Sequence, residues 1–76
     1  MDFKKYFEAA QNTQNPHEIF ANLLAAKANV FLFPELFFAI KKIMDKILES
    51  SPSEIRRKMN EIRHNFSKFF ENVEAG

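Results

Sequence analysis

Two histidines are the first side chains to weigh for chemistry, because the 76-residue chain has no cysteine. His17 and His64 each lack a carboxylate four residues away, the spacing that would suit a metal site on a helix. The serines have no nucleophile-elbow turn, and the one glycine excludes a glycine-rich phosphate loop. We therefore expect a non-enzyme with no catalytic residue, no cofactor and no metal ion.

Basic residues of the last third of the chain allow a nucleic-acid alternative. A Ser-Ser-Pro turn followed by a basic helix is similar in layout to a helix-turn-helix. The net charge is only +1, and Glu54 and Glu61 share the basic helix, so nucleic acid is the less favoured partner. The residues that would reach DNA or RNA are Ser53, Arg56, Arg57 and Asn60.

Ten phenylalanines suggest binding to an apolar partner. A lipid or another apolar surface is one alternative, since Phe-rich amphipathic helices lie at such interfaces. The polar faces mix both charges rather than carrying an excess of Lys and Arg, which argues against a membrane. Lys27 lies inside the apolar arc of the second predicted helix. Its aliphatic stem either covers apolar surface, or its ammonium group forms an ion pair with a carboxylate of a partner.

The elements that position these residues are set by three prolines spaced 18 residues apart, Pro16, Pro34 and Pro52. Proline suits the first position of a helix, and Asn15 and Ser51 are good N-caps for the helices after them. With Glu three residues after each cap, both starts read as capping boxes. We expect one domain, residues 1–76, with helices at about 2–11, 16–32, 34–49 and 52–74.

The last two helices are expected to form a long antiparallel hairpin across the short turn at residues 50–52. Pairing Ile40 with Ile62 keeps both apolar stripes in step along the whole hairpin. The fourth helix repeats apolar residues at heptad spacing; they are Ile55, Met59, Ile62, Phe66, Phe69 and Val73. The fold class is all-α: a small helical bundle made of this hairpin and two shorter N-terminal helices.

The predicted register gathers seven of the ten phenylalanines at the end of the hairpin away from its turn. Such a cluster is either core, covered by the first two helices, or a surface for a partner. Phe38 and Phe70 are expected to be the most exposed. The candidate interface residues are Phe33, Phe37, Phe38, Phe66, Phe69 and Phe70, with Arg63 and Lys27 as polar groups that orient a partner.

These patterns predict a small, cytoplasmic, non-catalytic protein–protein interaction module. It would assemble with itself, as a homo-oligomer, or dock onto another protein through the Phe-rich end. The N-terminal residues lack an apolar signal core, and the most apolar window is 13 residues long and interrupted, shorter than the roughly 20 residues that span a bilayer.

Overall fold

The computed structural model describes residues 2–68, 70 and 71. Within them the chain forms four helices and no strand: α1 Asp2–Gln11, α2 Pro16–Ala28, α3 Pro34–Lys46 and α4 Pro52–Asn65. Each helix packs on the next one along the chain. The expected all-α helical bundle is confirmed, whereas the residue-by-residue register of the α3–α4 hairpin stays a prediction.

Each of the last three helices begins at its proline, and two of the three starts are capped by a side chain. The Asn15 side chain accepts a hydrogen bond from the His17 amide at 2.9 Å, and Ser51 Oγ accepts one from the Glu54 amide at 3.2 Å. The Asn15 start is not a simple capping box, because the Asn15 amide donates to the Thr13 hydroxyl, which donates to Glu18. At α3 the N-cap residue is Phe33, which makes no side-chain cap bond.

Helices α2 and α3 end earlier than the apolar pattern suggests. Asn29 ends α2: its side chain donates to the Ala25 carbonyl at 2.8 Å, and the next amide, that of Val30, bonds three residues back to Lys27. Helix α3 ends in the same way, with the Ile47 amide bonded three residues back to Met44 at 3.4 Å. Bonds of this tighter type end the α-helical ladder before the apolar pattern does.

Helix α4 ends at Asn65, although the heptad pattern suggests a helix to residue 74. Phe66 leaves the helical region with φ −116° and ψ 33°, so the residues after it no longer follow the seam of α4. A further turn follows, in which the Phe70 amide bonds to the Phe66 carbonyl at 3.3 Å. Two residues of the predicted seam, Phe69 and Val73, lie outside the described residues.

The core contains residues from all four helices and from the segments that follow α2, α3 and α4. At one end, the rings of Phe3, Phe7 and Phe70 contact one another with centroids 5.2–5.5 Å apart. The other buried side chains are Ala10, Ile19, Leu23, Ala26, Val30, Leu36, Ile40, Ile43, Met44, Ile47, Ile55, Met59 and Ile62. Every buried residue of the described chain is apolar, so the core is stabilised by hydrophobic packing.

Candidate protein-binding surface

Helix α2 is apolar on two adjoining sides, and the fold covers only one of them. Ile19, Leu23 and Ala26 are buried, whereas Phe20 and Leu24 are about half exposed on the neighbouring side. A helix that is apolar beyond one stripe is normally buried further. The outer stripe of α2 consists of Phe20, Leu24, Lys27 and, just after the helix, Phe31, at spacings of four, three and four residues.

The corner between α2 and α3 is the most exposed apolar part of this region. Three consecutive residues, Phe31, Leu32 and Phe33, are 68%, 74% and 47% exposed. Isolated apolar residues are common on protein surfaces, but a run of three large ones is not. Phe33 is also the uncapped start of α3, so it occupies a position where Ser, Thr, Asp or Asn would satisfy a free backbone amide.

Contacts between side chains extend this corner across α3. Lys27 Nζ lies 5.2 Å from the centre of the Phe37 ring, within cation–π range. The ring of Phe37 meets that of Phe38 edge-to-face at 5.4 Å, and Phe38 is 55% exposed. We call the continuous surface the aromatic face; it comprises Phe20, Leu24, Lys27, Phe31, Leu32, Phe33, Glu35, Phe37 and Phe38.

Two open grooves border the aromatic face, and both include the half-buried Phe66. A groove of about 590 Å³ runs between α3 and α4, where Phe38 lies on one wall and Phe66 on the other. A second groove, of about 400 Å³, lies at the corner against Leu32 and Phe33. Glu35 lines both grooves. The groove at the corner is mainly apolar with the Glu35 carboxylate beside it, whereas the α3–α4 groove is also lined by Lys42, Lys58 and Glu61.

Five of the eight predicted interface residues lie on or beside the aromatic face. They are Phe33, Phe37, Phe38, Phe66 and Lys27. The expectation that Phe70 is exposed is wrong, since the side chain is 4% exposed and packs on Phe3 and Phe7. The physical reason is the break at Phe66, which turns Phe70 away from the α4 seam and toward α1. Phe69 lies outside the described residues.

Arg63 packs on the buried aromatic cluster, the rings of Phe3, Phe7 and Phe70, and not on the aromatic face. Its guanidinium lies 5.0 Å from the centre of the Phe70 ring. One terminal nitrogen is 3.4 Å from a Glu8 carboxylate oxygen, and the other donates to Gln11 at 3.2 Å. Arg63 therefore links α4 to α1 over the Phe70 ring, a role within the fold.

Sequence reasoning placed Phe31 in the Phe-rich end without naming it as an interface residue, and it missed Phe20, Leu24 and Leu32 as part of the surface. The signal was present: the outer stripe of α2 has heptad spacing of its own beside the stripe of Ile19, Leu23, Ala26 and Val30. Both stripes merge into one wide apolar arc when the sequence is read by periodicity. Only packing against α1 and α3 separates the covered stripe from the uncovered one.

The other candidate residues lie on the polar surface. His17 and His64 are exposed, and the described residues include no group of three His, Cys, Asp or Glu side chains that could hold a metal. The nucleic-acid candidates Ser53, Arg56, Arg57 and Asn60 are exposed on α4. Asn60 accepts a hydrogen bond from Gln11 of α1 at 3.1 Å. No helix of the described chain is both long enough and apolar enough to cross a bilayer.

Comparison with known proteins adds no further constraint: no family model, curated protein sequence or solved structure matches the chain.

Proposed function

We propose that the protein is a non-catalytic interaction module that binds a protein through its aromatic face. The observation that carries the proposal is the number of large exposed apolar side chains on α2, at the corner and on α3. A phenylalanine exposed by about half presents roughly 100 Å². Four phenylalanines and two leucines of the face, each about half exposed or more, make a patch of roughly 600 Å², at the upper end of what a monomer normally shows to water.

The uncapped start of α3 supports the same conclusion. In three helices the N-cap residue is followed directly by proline. The side chains of Asn15 and Ser51 cap their helices, whereas that of Phe33 makes no cap bond. A polar N-cap contributes about 1 kcal/mol to stability. The half-exposed phenylalanine at the N-cap of α3 lacks this stabilising bond and adds apolar surface. We expect this pattern at a residue that is selected for binding and not for stability.

The two other partner classes fit this surface less well. The aromatic face combines one lysine with one glutamate, so it has no cationic excess to draw it to an anionic membrane. On α4 the exposed Arg56 and Arg57 stand near Glu54 and Glu61, which weakens attraction to phosphate groups. A protein partner with an apolar surface matches the face without such an electrostatic conflict.

The proposal includes a cytoplasmic location and the absence of catalysis. Small secreted domains are commonly held by disulfides, whereas this chain has no cysteine. Both histidines are exposed, and the part of the chain that the structure describes holds no group of three His, Cys, Asp or Glu side chains; neither feature favours a catalytic site.

Photo-crosslinking in cells tests the proposal whatever the identity of the partner protein. The photoreactive residue p-benzoylphenylalanine would replace Phe31 or Phe38 in the aromatic face. Arg57, which is exposed on the polar side of α4, is the matched control position. We expect one discrete protein adduct from each face position and much weaker crosslinking from position 57.

Adducts of equal yield from all three positions, or no protein adduct at any of them, would overturn the proposal. Flotation with liposomes of neutral and anionic composition checks the lipid alternative. Retention on generic DNA, followed as salt is raised, checks the nucleic-acid alternative. Liposome binding that is lost in Phe31→Ser would mean that the ligand is a lipid surface and not a protein. DNA binding that is lost in an Arg56→Ala/Arg57→Ala variant would mean that the ligand is nucleic acid.

A further inference from the structure

We propose that the occupant of the aromatic face is a second copy of this chain, in a two-fold dimer that pairs Lys27 of each subunit with Glu35 of the partner subunit. The inference rests on the proposed function and names its partner. Three observations carry it: the charges of the face, their placement around Phe31, and the exposed apolar area.

The charges of the aromatic face are self-complementary. Among its described residues the face has one cation, Lys27, and one anion, Glu35. Lys27 is held against the Phe37 ring, whereas Glu35 is exposed in the first turn of α3. Neither forms an ion pair within the described part of the chain.

The placement of the two charges fits a two-fold axis. In a symmetric dimer, a residue i that contacts j of the other subunit requires that j contact i in return. Lys27 lies in the last turn of α2 and Glu35 in the first turn of α3, so the two charges lie on the two helices that meet at the corner containing Phe31. The proposed axis passes through this corner, so that one Lys27–Glu35 pair forms on each side of the aromatic rings.

The exposed area is close to what such a dimer needs. The aromatic face offers about 600 Å² of apolar surface from six side chains, each about half exposed or more. A stable interface buries about 800 Å² on each partner, of which a little over half is apolar. Phe31, 68% exposed at the centre of the corner, is the aromatic anchor that such an interface requires.

Light scattering behind a sizing column, over a hundred-fold range of protein concentration, tests the dimer and its charge pairing together. We expect the wild-type chain to be a dimer. Lys27→Glu places two carboxylates opposite each other at both pairs, and Glu35→Lys does the same with two cations. Each variant should weaken dimerisation by about tenfold, given two exposed pairs turned from attraction to repulsion.

Mixing the two variants tests whether opposite charges at the two positions restore dimerisation. A Lys27→Glu chain and a Glu35→Lys chain pair with opposite charges at both positions, so the mixture should form a heterodimer with near wild-type affinity. The double variant, which exchanges the charges within one chain, should form a homodimer again. Lys68→Glu and Glu71→Lys, both exposed on the segment after α4 and outside the set of face residues, are the matched controls and should leave dimerisation unchanged.

Three results would overturn the charge-paired dimer: a wild-type monomer at all concentrations, single variants that dimerise like the wild type, or a mixture that does not regain dimerisation. Circular dichroism and thermal melting of each variant ensure that lost association is not lost folding. A monomeric wild type whose Phe31 and Phe38 positions still crosslink to another protein would refute this inference and leave the proposed function intact.

Discussion

Two groups of phenylalanines in this small protein differ in their exposure to solvent. Phe3, Phe7 and Phe70 form the buried aromatic cluster, whereas Phe31, Phe33 and Phe38 lie on the aromatic face and remain about half exposed or more. Amino-acid type is the same in both groups. The difference is that α1 and the turn after Phe66 pack their rings against each other inside the fold, whereas no described element covers the second group.

This difference separates stability from binding. A buried phenylalanine contributes its hydrophobic free energy when the chain folds. The exposed part of a phenylalanine contributes hydrophobic free energy only when a partner covers it, so that area is available for association. A chain of this size has little stability to spare, about 4–11 kcal/mol at typical values per residue, and yet it leaves several large apolar side chains uncovered.

The largest expected effect compares one member of each group. Phe7→Ala removes a fully buried ring and should lower the free energy of unfolding by about 3–5 kcal/mol, because it leaves a cavity against Phe3 and Phe70. Phe38→Ala should change it by less than about 0.5 kcal/mol, since the ring is 55% exposed. Urea unfolding at a concentration that keeps the protein monomeric measures both.

Equal destabilisation by these two substitutions would remove the distinction between core and face. A loss at Phe38 above about 2 kcal/mol would show that its edge contact with Phe37 is a core contact despite its exposure.

A smaller effect is expected at Arg63, which sharpens the boundary of the buried cluster. Arg63→Met keeps an apolar stem but removes the bonds to Glu8 and Gln11 and the charge over Phe70. We expect a loss of about 1–2 kcal/mol, the sum of a partly exposed cation–π contact and two weak polar contacts. Thermal melting of Arg63→Met beside Lys68→Met, an exposed control, measures the loss.

No loss relative to the Lys68 control would show that the Arg63 contacts contribute nothing to holding α4 on α1. Arg63 would then be free to act as the orienting group for a partner, as the sequence suggests.

The smallest expected effect has the opposite sign and lies in the aromatic face. Phe33→Asp supplies a capping carboxylate at the start of α3 and should raise the free energy of unfolding by about 0.5–1 kcal/mol. Ser51→Ala removes the bond to the Glu54 amide and should lower it by about 1 kcal/mol. Urea unfolding of both variants, with Phe33→Ala as a control that adds no cap, makes the comparison.

A decrease in stability for Phe33→Asp would mean that the Phe33 ring supports the fold more than a cap would. In that case the uncapped start of α3 no longer argues for a binding role. A rise in stability combined with loss of crosslinking at Phe38 would show stability and association moving in opposite directions at one residue.

Much of the local structure follows from the sequence by short-range physics. The prolines mark the starts of α2, α3 and α4, and Asn15 and Ser51 act as the caps that their types predict. The location of Phe33, Phe37 and Phe38 at one end of α3 also follows from the sequence, because they flank the proline that starts this helix. Helix ends were harder, since Asn29 and Phe66 end helices through bonds and dihedral angles that compete closely with helix continuation.

What the sequence alone determined is the number of helices, their starts and the apolar stripes that they must bury, because caps, prolines and periodicity act within a few residues. What only the tertiary structure decided is which apolar residues are covered. Phe70 became core because the break at Phe66 turns it toward α1, and Phe31 stayed at the surface because α2 buries its neighbouring stripe instead. Coverage depends on which distant segments meet, and hydrophobic burial has no direction of its own that a sequence pattern could reveal.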